Sequence, residues 1–413
     1  MIIVLPGKVG LYIAERIFIM DESEKYYPYS QYLKERYGEK VYKLPVNLPV
    51  SCPNRINGNG CSFCAEKGTG FEAMDSAVSV TEQLLRTRDY IEKRYHAHKF
   101  IAYFQNFTNT FLPLEIFRSY IEEASRVPDI VEIAVSTRPD CIRDDYLDVL
   151  HTVREKTGIQ ITIELGLQTV NYHTLKQISR GHSLAEFIDA VLHINKYSFD
   201  ICTHVILNLP GDDLDDSIET AKILSALPVQ IVKAHSLYIA KNTKLCEAYE
   251  NGTISLCKKE EYLNRLILFL EYLRPDIAIE RLFSRIPEKD AVFCNWDTSW
   301  WKLRDELFEI MTERQSYQGK GISLFKWISV TYVKAIKIGG RKFGWKHASS
   351  NIKVYQKKKH LNIGIIIFGV IFIYLVVTVL MYLTENIFLF MRFGKDPFSK
   401  TIPIPVLPSV MKQ

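Results

Sequence analysis

Three cysteines, Cys52, Cys61 and Cys64, lie within thirteen residues in the segment SCPNRINGNGCSFCAEKGTG. The segment is too irregular for a helix or a strand, and its glycines permit the tight backbone that wrapping a metal centre requires. The chain has 413 residues and only eight cysteines, too few for a disulfide scaffold of this length. Clustered thiols in such a chain usually bind metal or carry redox chemistry, so the spacing predicts a metal centre on a loop.

Two kinds of metal centre are compatible with these cysteines. A structural zinc would need a fourth ligand, usually from a second Cys or His pair at short spacing. Three thiolates around a four-iron cluster leave one iron free, which suits chemistry better than structure or simple electron transfer. The sequence favours the open cluster because the other cysteines stand singly, at Cys141, Cys202, Cys246, Cys257 and Cys294.

Between residues 40 and 240, strand and helix patterns alternate. Helical periodicity and the capping-box spacing of Ser79 and Glu82 predict helices. Short apolar runs separated by helices indicate a parallel sheet covered by helices, either doubly wound or part of a barrel. The six predicted strands are VYKLPVNLPV, KFIAYFQ, IVEIAVS, IQITIELGL, ICTHVILNL and VQIVKAHSLYI.

Polar residues stand where these predicted strands end. Parallel strands bring their carboxyl ends to one edge, and such folds place their active sites there. The cysteine loop follows the first strand, so the sequence predicts one site at this edge. The polar residues are Gln105, Asn106, Ser136, Thr137, Gln168, Asn208 and His235.

The charge of the chain is unevenly distributed. Residues 321–413 hold 14 Lys+Arg and 2 Asp+Glu, whereas residues 1–320 hold 38 and 45. Within the basic part, residues 363–383 carry no charge and are long enough to cross a membrane as a helix. The preceding KKKH, at 357–360, predicts a cytoplasmic catalytic domain tethered to the membrane. A buried helix, or a tail fused by a read-through or frame error, is the alternative.

The C-x8-C-x2-C spacing, with Phe63 before the last cysteine, resembles the radical S-adenosylmethionine (radical SAM) superfamily, in the variant spacing of the elongator catalytic subunit. Other segments resemble the YhcC-like, or YtqA-like, radical SAM proteins and come in the expected order across about residues 25–320. They are KLPVNLPVSCPNR, CSFCAEKGTG, YFQNFTNTF, VSTRPDCI, ELGLQTVNYHTLKQISRGH, HVILNLPGD, VKAHSLY and YQGK. The ordered set is much more specific than any single segment.

This resemblance implies an α/β fold, a partial six-stranded (β/α) TIM-like barrel with a small C-terminal α/β cap. It implies an enzyme that uses a 4Fe–4S cluster and an external one-electron reductant to cleave S-adenosylmethionine. The resulting 5′-deoxyadenosyl radical would abstract hydrogen from an unknown substrate, either tRNA or a small molecule. The elongator resemblance suggests tRNA, although the acidic balance of residues 1–320 argues against a long phosphate-binding surface. A non-catalytic iron–sulfur electron-transfer protein at the membrane is the alternative.

The resemblance also implies roles for individual residues. Cys52, Cys61 and Cys64 would hold the cluster, and Phe63 would lie beside the adenine. The loop after the second strand would face the methionine amino group, although NFTNT replaces the usual Gly-Gly-Glu type signature. The remaining implied S-adenosylmethionine contacts are Gln105, Thr108, Ser136, Thr137, Arg138, Gln168 and Arg180.

Three residues of the last predicted strand, VQIVKAHSLYI, are candidate substrate contacts: Lys233, His235 and Tyr238. A cluster at the barrel rim whose members satisfy one another is the alternative. Arg180 could contact either a carboxylate or the substrate, because a guanidinium binds carboxylate in a bidentate fork. A salt bridge at a helix end is the alternative for this residue. The expected organisation is an N-terminal extension with a lead-in helix, the barrel, the cap, a basic linker, a transmembrane helix and a tail. The corresponding ranges are 1–40, 41–257, 258–320, 321–362, 363–384 and 385–413.

Overall fold

The computed structural model describes residues 25–56, 58, 60–65, 68 and 73–322. These residues belong to one compact unit. Among them, none of the helices combines the length and the apolar character that crossing a membrane requires. The transmembrane helix predicted at 363–384, the tail and nearly all of the basic linker lie outside the described residues.

Helices and strands alternate through most of the described chain, as the sequence pattern predicts. The helices are α1 Tyr29–Tyr37, α2 Pro53–Ile56, α3 Val80–Tyr95, α4 Leu114–Ser125, α5 Asp144–Thr157, α6 Tyr172–Gln177, α7 Leu184–Lys196, α8 Leu214–Ala226, α9 Lys244–Glu250, α10 Lys259–Tyr272 and α11 Trp300–Glu313. The strands are β1 Val41–Val46, β2 Lys99–Phe104, β3 Ile130–Thr137, β4 Gln160–Gln168, β5 Asp200–Ile206, β6 Ile231–His235, β7 Tyr238–Ala240, β8 Ala278–Arg281 and β9 Ala291–Cys294.

Seven of these strands form one parallel sheet in the order β1-β2-β3-β4-β5-β6-β8. The prediction of a parallel sheet covered by helices is confirmed, but the predicted number of six strands is wrong. The seventh strand, β8, comes from the segment predicted as a separate cap and pairs with β6. It was missed as a barrel strand because four residues are too few to show a period that identifies their sheet.

The sheet is curled into an open barrel. Strands β1 and β8 are its two edges, yet Lys43 Nζ on β1 lies 2.6 Å from Glu280 Oε2 on β8. Two edge side chains can meet across a seven-stranded sheet only if the sheet is strongly curved. The inward-facing side chains therefore line a lumen, while the outward-facing ones pack under the helices.

The amino-terminal end of the lumen is covered by α1. Tyr37 Oη donates to Glu132 on β3 at 2.6 Å, and Tyr32 Oη donates to Asp200, the first residue of β5, at 2.6 Å. Tyr29 of the same helix is buried and belongs to a cluster with inward-facing residues of the strands. The carboxyl-terminal end of the lumen, where the cysteine loop lies, is the end that this helix leaves uncovered.

The last predicted strand, VQIVKAHSLYI, is divided into two strands of different sheets. Its first part is β6, which ends at His235, and its second part is β7, which pairs antiparallel with β9. At the break, Ser236 Oγ donates to Asn295 Oδ1 and accepts from the backbone N–H of Ser284. These bonds to the C-terminal segment lead the chain out of the barrel, and the local sequence of the predicted strand does not reveal this break.

Candidate functional site

The cysteine loop follows β1 and crosses the carboxyl-terminal edge of the sheet. Its backbone is anchored on both sides of Ser62, whose N–H donates to Ile178 O and whose carbonyl accepts from Leu245 N–H, each at 2.9 Å. Asn54 Nδ2 adds a bond to Ser179 O at 2.8 Å. The three cysteines are half-buried. The loop therefore holds its thiols beside the ends of α6 and α9, as the sequence predicts for one site at this edge.

Each of the three cysteine sulfurs has a guanidinium nitrogen of a different arginine beside it. Sulfur hydrogen bonds are longer than those to oxygen, and a cationic donor strengthens them. We call these contacts the three arginine–cysteine pairs. They join Arg138 Nη1 to Cys52 Sγ at 3.9 Å, Arg180 Nη1 to Cys61 Sγ at 3.6 Å, and Arg55 Nη2 to Cys64 Sγ at 3.4 Å.

Two glycines leave space for the guanidinium groups of Arg180 and Arg138. A Cβ on Gly166 would lie 2.6 Å from Arg180 Nη2 and 2.6 Å from Gln168 Nε2. Gly181 has φ +77°, and a Cβ there would lie 2.8 Å from Asn54 Oδ1 and 3.1 Å from Arg138 Nη2. The backbone thus approaches both guanidinium groups more closely than any other residue type would allow.

The loop after β2 carries buried oxygen atoms without a hydrogen-bond partner. Asn106 Oδ1 and Thr108 Oγ1 are both in this state, and both residues are almost completely buried. Asn109 holds the loop by donating from Nδ2 to Phe104 O, Asn106 O and Ser136 O. Buried acceptors usually have a partner, so these two fit an amino group that is supplied by a ligand.

The other sequence-predicted cofactor residues lie at the same edge with different surroundings. Ser136 Oγ donates to Tyr103 Oη at 3.3 Å inside the lumen, whereas Thr137 Oγ1 is 2.6 Å from Thr110 Oγ1. Gln168 is near Gly166 and has φ +75°. Phe63 packs against an apolar cluster that includes Ile178, Ile206, Leu237 and Leu245. The Gln105 backbone N–H donates to Val46 O at 3.2 Å.

A charged network fills the lumen below this edge. Lys43 Nζ lies 2.5 Å from Glu164 Oε1 and 2.6 Å from Glu280 Oε2. Lys233 Nζ lies 3.1 Å from Glu164 Oε2 and 2.9 Å from Glu280 Oε1. Burial raises the pKa of Glu164, but Lys233 and Lys43 outweigh it and hold that pKa well below its usual value. The two lysines and two glutamates balance one another in charge.

Two histidines cover the lumen network on the side of the cysteine loop. His204 Nε2 is 2.7 Å from Glu164 Oε2, and His204 Nδ1 is 3.3 Å from His235 Nε2. The rings stack at 5.4 Å, and His235 Nδ1 is 3.3 Å from Ser284 Oγ. Burial and the nearby cations, Lys233 among them, lower the pKa of both imidazoles. The pair therefore presents neutral imidazole to the lumen.

The candidate substrate contacts occupy three different positions. His235 lies in this histidine pair, and Tyr238 lies on β7, outside the barrel sheet. Lys233 is 3% exposed, and its ammonium is held by Glu164 and Glu280. Its side chain is therefore part of the lumen network, beneath the histidines, rather than on the free surface of the lumen.

The sequence analysis did not single out Lys43, Glu164, His204 or Glu280. A usable signal was present for Lys43 and Glu164, because each is a charged residue with mainly apolar neighbours in a predicted strand. Glu164 lies in ITIELGL and Lys43 in VYKLPV. A charged residue in a strand covered by helices must face an interior where another charge compensates it.

Glu164, Cys202 and His204 also bring one ligand atom each within 4.8 Å of one another. The lumen network argues against a metal ion there, because Lys43, Lys233 and His204 already occupy both carboxylate oxygens of Glu164. Burial raises the pKa of the Cys202 thiol well above its usual value, so the sulfur remains protonated. We therefore assign these groups to the lumen network.

His182 provides a prediction about pH. It lies beside Arg180, its Nε2–H donates to Gly166 O at 2.9 Å, and its pKa is lowered to about 3 by burial and by Arg180. In the unfolded chain this imidazole has a pKa of about 6.5 and takes up a proton, whereas in the folded chain it stays neutral. The free energy of unfolding therefore falls as the pH drops below about 6.5. Between pH 7 and 5 the loss should be about 2 kcal/mol.

The free energy of unfolding is measured with urea at both pH values. Its decline from pH 7 to pH 5 should be smaller in the His182→Asn variant than in the parent protein by that amount. His98→Asn is the matched control, because the His98 side chain is 65% exposed. An unchanged difference between pH 7 and pH 5 in His182→Asn would show that this histidine titrates normally in the folded protein.

Comparison with known proteins identifies the family. Residues 46–224 match the Radical SAM superfamily, and residues 229–313 match the Radical_SAM C-terminal domain. The protein YtqA of Bacillus subtilis (strain 168) is 33% identical over 304 residues, which cover 72% of this chain and 92% of YtqA. The chain therefore belongs to the radical SAM superfamily, in the YtqA-like group, and is an enzyme whose family uses a 4Fe–4S cluster and S-adenosylmethionine.

The fold agrees with this assignment. The archaeal Elp3 of Methanocaldococcus infernus superimposes with a TM-score of 0.52 at 17% identity, covering 67% of this chain and 64% of Elp3. A tRNA uridine(34) acetyltransferase of Methanocaldococcus jannaschii is 23% identical over 178 residues, which cover 41% of this chain and 32% of that protein. These comparisons give no support to the alternative of a non-catalytic electron-transfer protein.

Proposed function

We propose that Cys52, Cys61 and Cys64 are the three protein ligands of the 4Fe–4S cluster. The three arginine–cysteine pairs are the observation that carries this assignment. The pKa of Cys64 is raised, chiefly by burial, and the adjacent Arg55 opposes this rise, so a guanidinium beside the sulfur favours the thiolate that binding of a cluster needs. Four-coordinate zinc would call for a further thiol or imidazole, whereas three thiolates suffice for a cluster with one open iron.

A cluster held by these cysteines would supply one electron, received from an external reductant, for the reductive cleavage of S-adenosylmethionine to methionine and a 5′-deoxyadenosyl radical. The residues of this chain orient the cofactor. Asn106 Oδ1 and Thr108 Oγ1 would accept from its amino group, in place of the glutamate that NFTNT lacks. Phe63 would contact the adenine, and the remaining polar contacts would come from Gln105, Ser136, Thr137, Arg138, Gln168 and Arg180.

The substrate would enter the lumen from the carboxyl-terminal edge, since α1 covers the other end. His235 would contact it together with His204, and Tyr238 is the candidate contact on β7. The similarity to a tRNA uridine(34) acetyltransferase favours tRNA as the substrate class over a small molecule, although it extends over only 178 residues. The membrane anchor at residues 363–383 and the domain boundaries stay predictions from the sequence.

Anaerobic reconstitution tests the proposed function. The purified protein should take up about four iron atoms per chain and become brown, with absorbance at about 400 nm. Addition of dithionite and S-adenosylmethionine should release 5′-deoxyadenosine and methionine in equal amounts, measured by chromatography. Omission of dithionite is the control for non-reductive breakdown. A brown protein that releases no 5′-deoxyadenosine would contradict radical chemistry, and a colourless protein containing zinc would contradict the cluster.

The amino-group contact makes a separate prediction for Thr108. Thr108→Val keeps the size of the side chain but removes the buried acceptor, so affinity for S-adenosylmethionine should fall about tenfold, the value of one hydrogen bond to a charged group. Equilibrium dialysis of the reconstituted protein measures it, and the iron content should not change. Thr152→Val is the control, because Thr152 Oγ1 donates to Asp148 O on the exposed face of α5. Equal affinity of the two variants would contradict the contact.

A further inference from the structure

The three arginine–cysteine pairs have a consequence beyond holding the thiolates. We propose, on the basis of the iron–sulfur function proposed above, that Arg55, Arg138 and Arg180 raise the reduction potential of the cluster by hydrogen bonding to its three cysteine ligands. Each arginine serves one sulfur. The three are positioning residues for electron transfer into the cluster, a role different from the cofactor contacts that the resemblance implies for Arg138 and Arg180.

Arg180 has the most direct evidence. It is 7% exposed, and its Nη2 donates to Gly166 O at 2.8 Å while Nη1 faces Cys61 Sγ. Among the described residues, no Asp or Glu lies within ion-pair distance of its guanidinium. A buried cation is costly unless an anion compensates it, and the sulfur beside this guanidinium is Cys61 Sγ, which would be a thiolate as a ligand of the cluster.

Arg138 is fixed more rigidly. Its Nε and Nη2 bind Asp140 in a bidentate fork at 2.9 and 2.8 Å, and its Nη1 donates to Arg180 O at 2.9 Å. The same Nη1 faces Cys52 Sγ, and the residue is 3% exposed. With its fork already occupied by Asp140, this guanidinium has only single N–H groups left for the cofactor contact proposed above.

Arg55 reaches the third sulfur from within the loop. Its Nη2 donates to Cys64 O at 3.0 Å and faces Cys64 Sγ, while its guanidinium lies 5.3 Å from the centre of the Phe107 ring. The bond to the backbone of the same cysteine fixes the donor relative to the sulfur. All three sulfurs therefore have a donor that is held by other contacts of the protein.

The electrostatic effect has a definite sign. Reduction adds one electron, so the reduced cluster is more negative than the oxidised one. Hydrogen bonds to the sulfurs and nearby positive charge stabilise the more negative state, and both are known determinants of cluster potential. Removal of one guanidinium should therefore make the cluster harder to reduce, without removing a ligand.

The test is a mediated redox titration of the reconstituted protein, followed by the paramagnetic resonance signal of the reduced cluster. At a fixed potential, Arg180→Gln should lower the ratio of reduced to oxidised cluster about tenfold, which for one electron is about 59 mV. Arg180→Lys, which keeps the charge, should restore most of this loss. Arg143→Gln is the matched control, because that arginine is 67% exposed and pairs with Asp145 on the surface.

An iron-loaded Arg180→Gln protein with an unchanged potential would overturn the inference, while the cluster itself and the proposed function would stand. If Arg180→Gln takes up no iron, Arg55→Gln is titrated instead, since it serves a different sulfur. Loss of iron from both glutamine variants would also overturn the inference, because the arginines would then be needed only to retain the cluster. Failure of the parent protein to take up iron would overturn both proposals.

Discussion

Replacement of Cys61 by alanine is expected to abolish the iron–sulfur cluster and, with it, the reductive cleavage of S-adenosylmethionine. Three ligands are the smallest set that holds a four-iron cluster in this loop, and two thiolates leave two irons without protein ligands. Cys61 Sγ also has two donors beside it, because Asn54 Nδ2 lies at 3.4 Å and Arg180 Nη1 at 3.6 Å. The release of 5′-deoxyadenosine should fall to background. A loss on the order of 1,000-fold or more is expected when a catalytic group is removed.

The matched control is Cys257→Ser. Cys257 is half-buried like Cys61, but it lies far from the loop in sequence and its carbonyl accepts from Trp296 Nε1. This variant should keep its iron and its colour. Iron, sulfide and absorbance at about 400 nm are measured for both variants after anaerobic reconstitution. A brown Cys61→Ala protein would mean that the cluster ligands lie among the other cysteines.

Replacement of Glu164 by glutamine is expected to destabilise the whole barrel by about 3–5 kcal/mol. The Glu164 side chain is completely buried and receives Lys43, Lys233 and His204 on its two oxygens. The variant keeps the size of the side chain but leaves two buried lysines with one glutamate, Glu280. An uncompensated buried charge is among the costliest single changes known in proteins.

Urea unfolding at pH 7 measures this loss, with Glu155→Gln as the control, because the Glu155 side chain is 64% exposed. The double variant Lys43→Met with Glu164→Gln removes one charge of each sign and leaves Lys233 paired with Glu280. It should be more stable than Glu164→Gln alone. A single variant as stable as the parent would show that the lumen network is not a charge-balanced unit.

The local sequence determined the parts of this protein that depend on neighbouring residues. The spacing of Cys52, Cys61 and Cys64, the strand–helix alternation and the polar residues at strand ends are all local patterns. Ser79 shows this well, because its side chain accepts from Glu82 N–H at the start of α3, as the capping-box spacing predicts. The family resemblance rests on such segments, and the comparison with YtqA confirms it.

The tertiary structure alone decided which distant residues meet. Arg138 is 86 positions from Cys52, and Arg180 is 119 positions from Cys61, so no periodicity links the members of either pair. Lys43 and Glu280 are 237 positions apart and meet only because the sheet curls.

The physical reason is that the periodicity of a helix or strand depends on residues close together in the sequence. The curvature and strand register of the sheet depend on all of its strands. For this reason β8 was assigned to a cap, and His204 and Glu164 were overlooked although they lie in strands that the sequence predicts. The three candidate cluster ligands lie in one loop of the sequence, whereas the curvature of the barrel brings the charged side chains of the lumen network together.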